Sequence, residues 1–383
     1  MTRRERLMAT LRGEPVDRPP VSFYEIDGSQ DLEDPHPFNI YNHPSWRPLV
    51  ELARAKTDCI VRRGVAFRNT SPYPLQERCA TETREDAHGS QFITTTIRVG
   101  KRTLTRRHRR DRDLNTTWET EHLLKDLDDL KAYLELPELA LGGEPDTAGI
   151  LKVEEQLGDA GIVMIDRSEP LCDAAQLFDM ATFTVLALTE PSWFHKLVER
   201  FARVHYWQVD RIARALPGRL WRLCGPEYAT PPYLPPRLFR EYVTAYDTPI
   251  VAAIQRHGGY ARIHCHGRLR DILDDIAATG CTGIDPIEPP PQGDVELAYV
   301  RLKVGQQMTL FGNLEASDVE NLPTAEFERK VRTAIREGTA GPGRGFVLMP
   351  SACPYGRVLP PLALANYQRM VDVVGEFGNP AGA

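Results

Sequence analysis

The sequence predicts an α/β protein: a (β/α)8 TIM barrel with a β-hairpin insertion after its second strand. Three observations lead there. Eight short β-rich runs recur along the 383 residues, and most are followed by stretches whose apolar positions fall three to four apart. One interval, at about 66–150, breaks that alternation with β-branched residues on both sides of Gly100-Lys101, the pattern of a hairpin.

The chain opens with Thr2-Arg3-Arg4-Glu5-Arg6 before Leu7, Met8 and Leu11, which is an N-cap, a charged first turn and apolar residues at helical spacing. Gly13 and Pro15 stop that helix. Strands are expected at residues 20–24, 58–62, 161–165, 220–224, 261–265, 283–285, 308–311 and 346–349, with helices at 193–216, 238–256, 269–278 and 325–337. An acidic helical connector, residues 124–134, ends the insertion before Pro137. The Pro-rich runs 230–236 and 286–291 follow strands four and six, so they read as loops of the barrel mouth. One domain spanning 1–383 suits a barrel of this length.

Composition excludes several classes. With 47 basic and 53 acidic side chains, net −6, the chain offers no general attraction to nucleic acid. Its basic cluster, residues 101–112, runs into Asp111 and Asp113 and reads as a solvated hairpin face. Seven cysteines without regular spacing argue for a reducing compartment and against a disulfide framework. The first fifteen residues hold no signal-peptide run, and no stretch is long and apolar enough to span a bilayer, so a soluble, cytoplasmic protein without membrane attachment is expected.

Residues two apart in a strand share a face, so His264 and His266 stand together at the end of strand five, where barrel active sites are built. Cys353, just beyond strand eight, opens onto the same mouth. Two nitrogens and a thiolate suit zinc with one open position. The plainer readings are a hydrogen-bonded strand end for the histidines and a small buried apolar residue for Cys353. Glu227, at the end of strand four, is a fourth ligand, an acid, or a carboxylate capping its own loop. Asp166 and Arg167 close strand three, and Asp285 with Glu288 closes strand six. Asn313 follows Phe311-Gly312. The working assignment makes Glu227, Asp166 and Asp285 catalytic candidates; Arg167, Asn313 and Tyr24 substrate-binding candidates; and His264, His266, Cys353 and Glu227 metal candidates. The helical His195 and His205, and Cys59 and Cys281, read as packing residues.

The start Thr2-Arg3-Arg4-Glu5-Arg6, the run Leu11-Arg12-Gly13-Glu14-Pro15-Val16-Asp17-Arg18-Pro19-Pro20, His264-Cys265-His266-Gly267, Phe311-Gly312-Asn313-Leu314-Glu315 and the late Cys353 together resemble the uroporphyrinogen decarboxylase superfamily. That resemblance implies a (β/α)8 barrel, and a choice between porphyrin decarboxylases and cobamide-linked methyltransferases. The decarboxylases carry Arg-Gln-Ala-Gly-Arg after the first strand. This chain has Tyr24-Glu25-Ile26-Asp27-Gly28-Ser29 there, without arginine, which disfavours porphyrin decarboxylation. The methyltransferase branch carries a zinc motif His-x-Cys-Gly and a distant cysteine. His264-Cys265-His266-Gly267 and Cys353 align with it, except that His266 stands where the family has cysteine.

The resemblance therefore implies an enzyme, a zinc-dependent methyltransferase moving a methyl group between a small methyl ether or thiol and a corrinoid (cobalamin) held by a partner protein, since no second domain here could carry it. With one thiolate, the zinc would be the stronger Lewis acid, which favours an ether donor and an O-demethylase role. A zinc hydrolase or lyase with Glu227 as base, and a decarboxylase of a small acid, are the alternatives. Pairing through outer helices into a homodimer is compatible with barrels of this size.

Overall fold

The computed structural model describes residues 1–70 and 76–378; residues 71–75 of the expected insertion and the last five residues lie outside the described ones. The first helix, Arg3–Arg12, starts as its sequence predicts: Thr2 accepts from Glu5 N–H while Glu5 reaches back to the Thr2 N–H, and Gly13 at φ 74 ends it. Arg6 and Arg18 both grip the buried Asp58, at 2.6 and 2.7 Å, which fixes the N-terminal segment against the start of the first sheet strand.

Along the chain the strands are β1 (Cys59–Arg63), β2 (Phe67–Arg68), β3 (Cys79–Glu85), β4 (Gln91–Val99), β5 (Arg102–Arg110), β6 (Thr117–Glu121) and β7 (Glu144–Pro145). Then follow β8 (Gly161–Ser168), β9 (Leu220–Cys224), β10 (Tyr260–His264), β11 (Gly283–Asp285), β12 (Thr309–Leu314) and β13 (Phe346–Pro350). Seven of them form one curled parallel sheet, in the order β1-β8-β9-β10-β11-β12-β13, with helices between successive members.

The expected first strand, residues 20–24, is corrected to a single bridge between Val21 and Leu348. Ser22 N–H donates to Leu348 O and Leu348 N–H to Pro20 O, while Asp58 N–H donates to Val21 O at 2.7 Å. The segment thus bonds to both β13 and the entry to β1. It is not a strand because Pro19 and Pro20 have no N–H for a ladder, and because Tyr24 turns away at φ 57.

Period two sorts the side chains. Ile60, Ile162, Met164, Leu220, Phe311, Val347 and Met349 pack together on the concave face, closed at the strand-start end by Leu7 and Leu11 of the first helix. Two residues further along their strands, Arg62, Asp166 and Arg222 therefore share that face, as do Arg262 and His264 beyond Tyr260. The alternate positions Val163, Ile165, Leu223 and Ile263 pack outward against the helices.

The hairpin expected on both sides of Gly100-Lys101 forms as β4-β5, and two further strands extend it to a four-stranded antiparallel sheet, β3-β4-β5-β6. Its central pair runs from Gln91 opposite Arg110 to Val99 opposite Arg102, turning at Gly100-Lys101. The basic cluster is partly neutralised: Arg106 pairs with Glu119, Arg107 with Glu121 and Arg109 with Asp111. Leu114 bridges Gly356, and Arg357 ties Asp113 to the loop that carries Cys353, so this sheet is anchored beside the strand ends. All seven cysteines are unpaired. Among the described residues no helix is long and apolar enough to cross a membrane.

Behind the sheet lies a buried acid without a base. Asp247, in the helix Ala245–Arg256, is 0% exposed, and neither carboxylate oxygen has a hydrogen-bond partner. Burial lifts it to about 8. The fully buried Glu169, pushed up by burial and then by Asp247, adds to the strain of ionisation. A folded-state value raised above the ordinary 3.8 means that stability is complete below about pH 4 and is lost as pH rises through about 8, at up to about 1.4 kcal/mol per pH unit. The difference in unfolding free energy between Asp247→Asn and the natural protein is expected to grow in favour of the variant from pH 5 to 9. Parallel pH profiles for the two proteins would contradict this.

Candidate active site at the strand ends

His264 is the last residue of β10, and His266 lies two residues on, so both imidazoles emerge at the C-terminal end of the sheet. Their ring centroids are 4.6 Å apart at 89°. Each is held from behind by a carboxylate: His264 Nδ1 to Asp285 Oδ2 at 2.7 Å, and His266 Nδ1 to Glu288 Oε1 at 2.8 Å. A carboxylate can only accept, so both Nδ1 atoms carry the proton and both Nε2 edges face forward. Glu288 is itself oriented by the Gly267 N–H on its other oxygen, and Asp285 by Arg262 Nε at 2.9 Å.

The two dyads differ electrically. Burial pushes His264 down, so it stays neutral, while Asp285, opposed by burial, is held at about 2 by Arg262, His264 and Arg222. His266 is more open, at 36% side-chain exposure, and although burial opposes its charge, the hydrogen bond and charge of Glu288, with Glu227 beyond, lift it above the usual imidazole range. Thus one ring is a fixed neutral base and its neighbour a readier proton acceptor.

Tyr24 places its hydroxyl 3.4 Å from His264 Nε2, with the two rings stacked, and burial keeps it a phenol. Asp166 also reaches the concave face, where it meets Arg222 at 3.2 Å and Arg62 at 3.5 Å. Asp285 proves to be the buried anchor between Arg262 and His264.

Other expected residues are placed elsewhere. Arg167 follows Asp166 and so points outward, where it bonds Gln208 of the helix Pro191–Ala215, behind the sheet and away from the histidines. Asn313 lines a groove of about 430 Å³ with Pro289, Pro290, Asp318 and Lys330. Glu227 accepts the Gly225 N–H with Oε2, capping its own turn, although its charge is felt at His266. That turn is tightly packed: a Cβ on Gly225 would lie 2.1 Å from Cys172 Cβ.

Cys353 does not join the histidines. Its thiol donates to Glu25 Oε2 at 3.2 Å, Glu25 in turn holding Arg62 at 2.7 Å, and burial and Glu25 push the thiol well above its usual range. Among the described residues, no group of three or more His, Cys, Asp or Glu side chains is arranged to hold a metal ion. The two forward Nε2 edges, each backed by a carboxylate, suit a metal's needs; Cys353, bonded to Glu25, is not a third donor in this arrangement.

Sequence reasoning passed over Glu25, Arg62, Arg222 and Arg262, although alternation from His264 back to Arg262 was there to read. It also passed over Glu315. This carboxyl, next to the end of β12, is buried with Oε1 unpartnered, and burial and then Glu288 lift it to about 7.

The model of the uroporphyrinogen decarboxylase (URO-D) family matches residues 156–377. No curated protein matches the chain. Among solved structures, a methyltransferase from Methanosarcina mazei is similar over 98% of this chain and 99% of its own, at 17% identity and a TM-score of 0.61, a likeness of fold. A xylose isomerase-like TIM barrel protein from Mycobacterium smegmatis in complex with magnesium overlaps 66% of this chain and 89% of its own, at 11% identity and a TM-score of 0.33. A D-psicose 3-epimerase with D-tagatose from Clostridium cellulolyticum H10 overlaps 59% and 82%, at 8% and 0.37. Nothing rests on the last two. The matched span exceeds half of the 383 residues and contains the sheet from β8 onward with both histidine dyads: the chain belongs to the uroporphyrinogen decarboxylase family.

Proposed function

We propose that this protein is a methyl-transferring enzyme acting on a small methyl ether or thiol, with a corrinoid on a partner protein as the other methyl carrier, and that residues 20–22 complete its sheet into a (β/α)8 barrel. The observation that carries the proposal is the pair of carboxylate-backed imidazoles, His264 with Asp285 and His266 with Glu288, set side by side at the strand ends. The fold likeness to a methyltransferase over almost the whole of both chains supports it.

His264 and His266 would hold a zinc ion through Nε2, with Cys353 completing the set after leaving Glu25. Zinc would supply Lewis acidity, polarising an ether oxygen or lowering a thiol's pKa. Asp285 and Glu288 fix the tautomers, so each ring presents a lone pair forward without reorganising. Tyr24, kept a phenol by burial, is placed to donate to an oxygen near His264. Glu315, lifted to about 7, is placed to exchange a proton on the Glu288 side of the site near neutral pH. The single cysteine leaves the metal less electron-rich than a two-thiolate set, which favours the ether donor.

The test is methyl transfer to free cob(I)alamin from an aryl methyl ether, run beside transfer to a thiol. Ether demethylation is expected to dominate. Thiol methylation without ether activity would reverse the choice of donor, and neither reaction in zinc-reconstituted protein would remove the proposal.

A further inference from the structure

The concave face carries a guanidinium whose donors are mostly unused. Arg222, 8% exposed, projects from β9 and meets a carboxylate at one point only, Nη1 to Asp166 Oδ1 at 3.2 Å; its Nε is buried without a partner. Guanidinium presents five N–H donors in a rigid fork that matches a two-oxygen anion. Of the neighbouring cations, Arg62 has Glu25 at 2.7 Å, and Arg262, 1% exposed, is ion-paired with Asp285 at 2.9 Å although its Nε and Nη2 are also without a hydrogen-bond partner; sealed in this way, Arg262 is less open to an incoming anion than Arg222.

Asp166 is a poor partner for the pair it serves. It reaches Arg62 Nε only at 3.5 Å, and its side chain is 27% exposed toward the strand ends, whereas the Arg222 guanidinium lies deep with the Tyr24 ring 5.7 Å from its Cζ. The small cavity beside it, bordered by Glu25, Arg62 and Arg262 as well as by Ser22, Ile60 and Met349, is about 10 Å³, room for roughly one water. An incoming anion therefore stops at the level of Asp166, beside the histidine pair.

We infer that the substrate carries a carboxylate, which Arg222 grips with two prongs alongside Arg62, and that Asp166 is an internal placeholder which that carboxylate displaces. Asp166 is then no catalytic acid; it keeps Arg222 and Arg62 from repelling each other while the site is empty of substrate, and swings toward the mouth when the stronger two-point contact forms. The identity of the rest of the substrate, a small methyl ether, rests on the proposed function. The anion grip rests on the side-chain geometry alone.

Calorimetric binding of 4-methoxybenzoate and of its uncharged counterpart 4-methoxybenzamide, with no corrinoid present, separates the two. The natural protein is expected to bind the acid about tenfold or more tightly than the amide. Arg222→Met is expected to erase that preference, and Asp166→Asn to strengthen acid binding several-fold while leaving the amide unchanged. Equal affinities in the natural protein, acid preference surviving in a folded Arg222→Met, or weaker acid binding in Asp166→Asn would each overturn the inference. The Asp166→Asn arm decides if Arg222→Met fails to fold. Acid preference without any methyl transfer would count against the proposed function and leave the carboxylate grip standing.

Discussion

Asp285→Ala is expected to destabilise the protein by about 3–5 kcal/mol, the range for breaking a buried ion pair from one side. Asp285 is fully buried and serves two groups at once, Arg262 at 2.9 Å and His264 at 2.7 Å. Arg262 is 1% exposed, with Phe311 against its guanidinium, so it cannot turn out to water when its carboxylate is removed. His264 would lose the acceptor that fixes its tautomer. Asp285→Asn keeps an acceptor for one of them without the charge, and should cost less. Urea midpoints for the two variants check this, and a loss under about 1 kcal/mol in the alanine variant would mean that Arg262 is compensated by something other than Asp285.

His266→Ala should behave in the opposite way, with little effect on folding and a large one on chemistry. The side chain is 36% exposed and contributes no apolar core, so stability should stay within about 1 kcal/mol. Methyl-transfer activity should fall on the order of a hundredfold or more. Glu288→Gln, which leaves the ring in place but weakens its anchor, should lose about 10–100-fold. Activity in His266→Ala within a few-fold of the natural protein would place the chemistry elsewhere on the concave face.

What the sequence made legible follows from the range over which each feature is determined. The helix at Arg3–Arg12 is a local device, Thr2 and Glu5 capping one another, and was readable at that range. Seven of the eight β-rich runs became sheet strands, since apolar, β-branched runs between turns carry their own signal. The eighth failed on Pro19 and Pro20, a cue equally local and equally present.

The histidine pair was legible through period two, and the same rule separates Asp166 on the concave face from Arg167 bonded to Gln208 behind it. Glu227 closing onto Gly225 is a two-residue turn contact, the plainer of the readings open to it. Cys353 is different. Its partner Glu25 lies 328 residues away, and whether a thiol at the end of β13 meets a carboxylate or an imidazole depends on where three loops come to rest, which no local pattern encodes. Arg222 and Arg262 were overlooked for a related reason: one arginine in an apolar strand reads as an interruption until its neighbours across the sheet are known.

The most direct measurement is metal content by elemental analysis of the purified, zinc-reconstituted protein beside His264→Ala, His266→Ala and Cys353→Ser. The expected result is about one zinc per chain in the natural protein, lost in both histidine variants and bound more weakly in the cysteine variant. A natural protein that takes up no zinc, or histidine variants that keep it, would contradict the assignment of His264 and His266 as the centre of the chemistry.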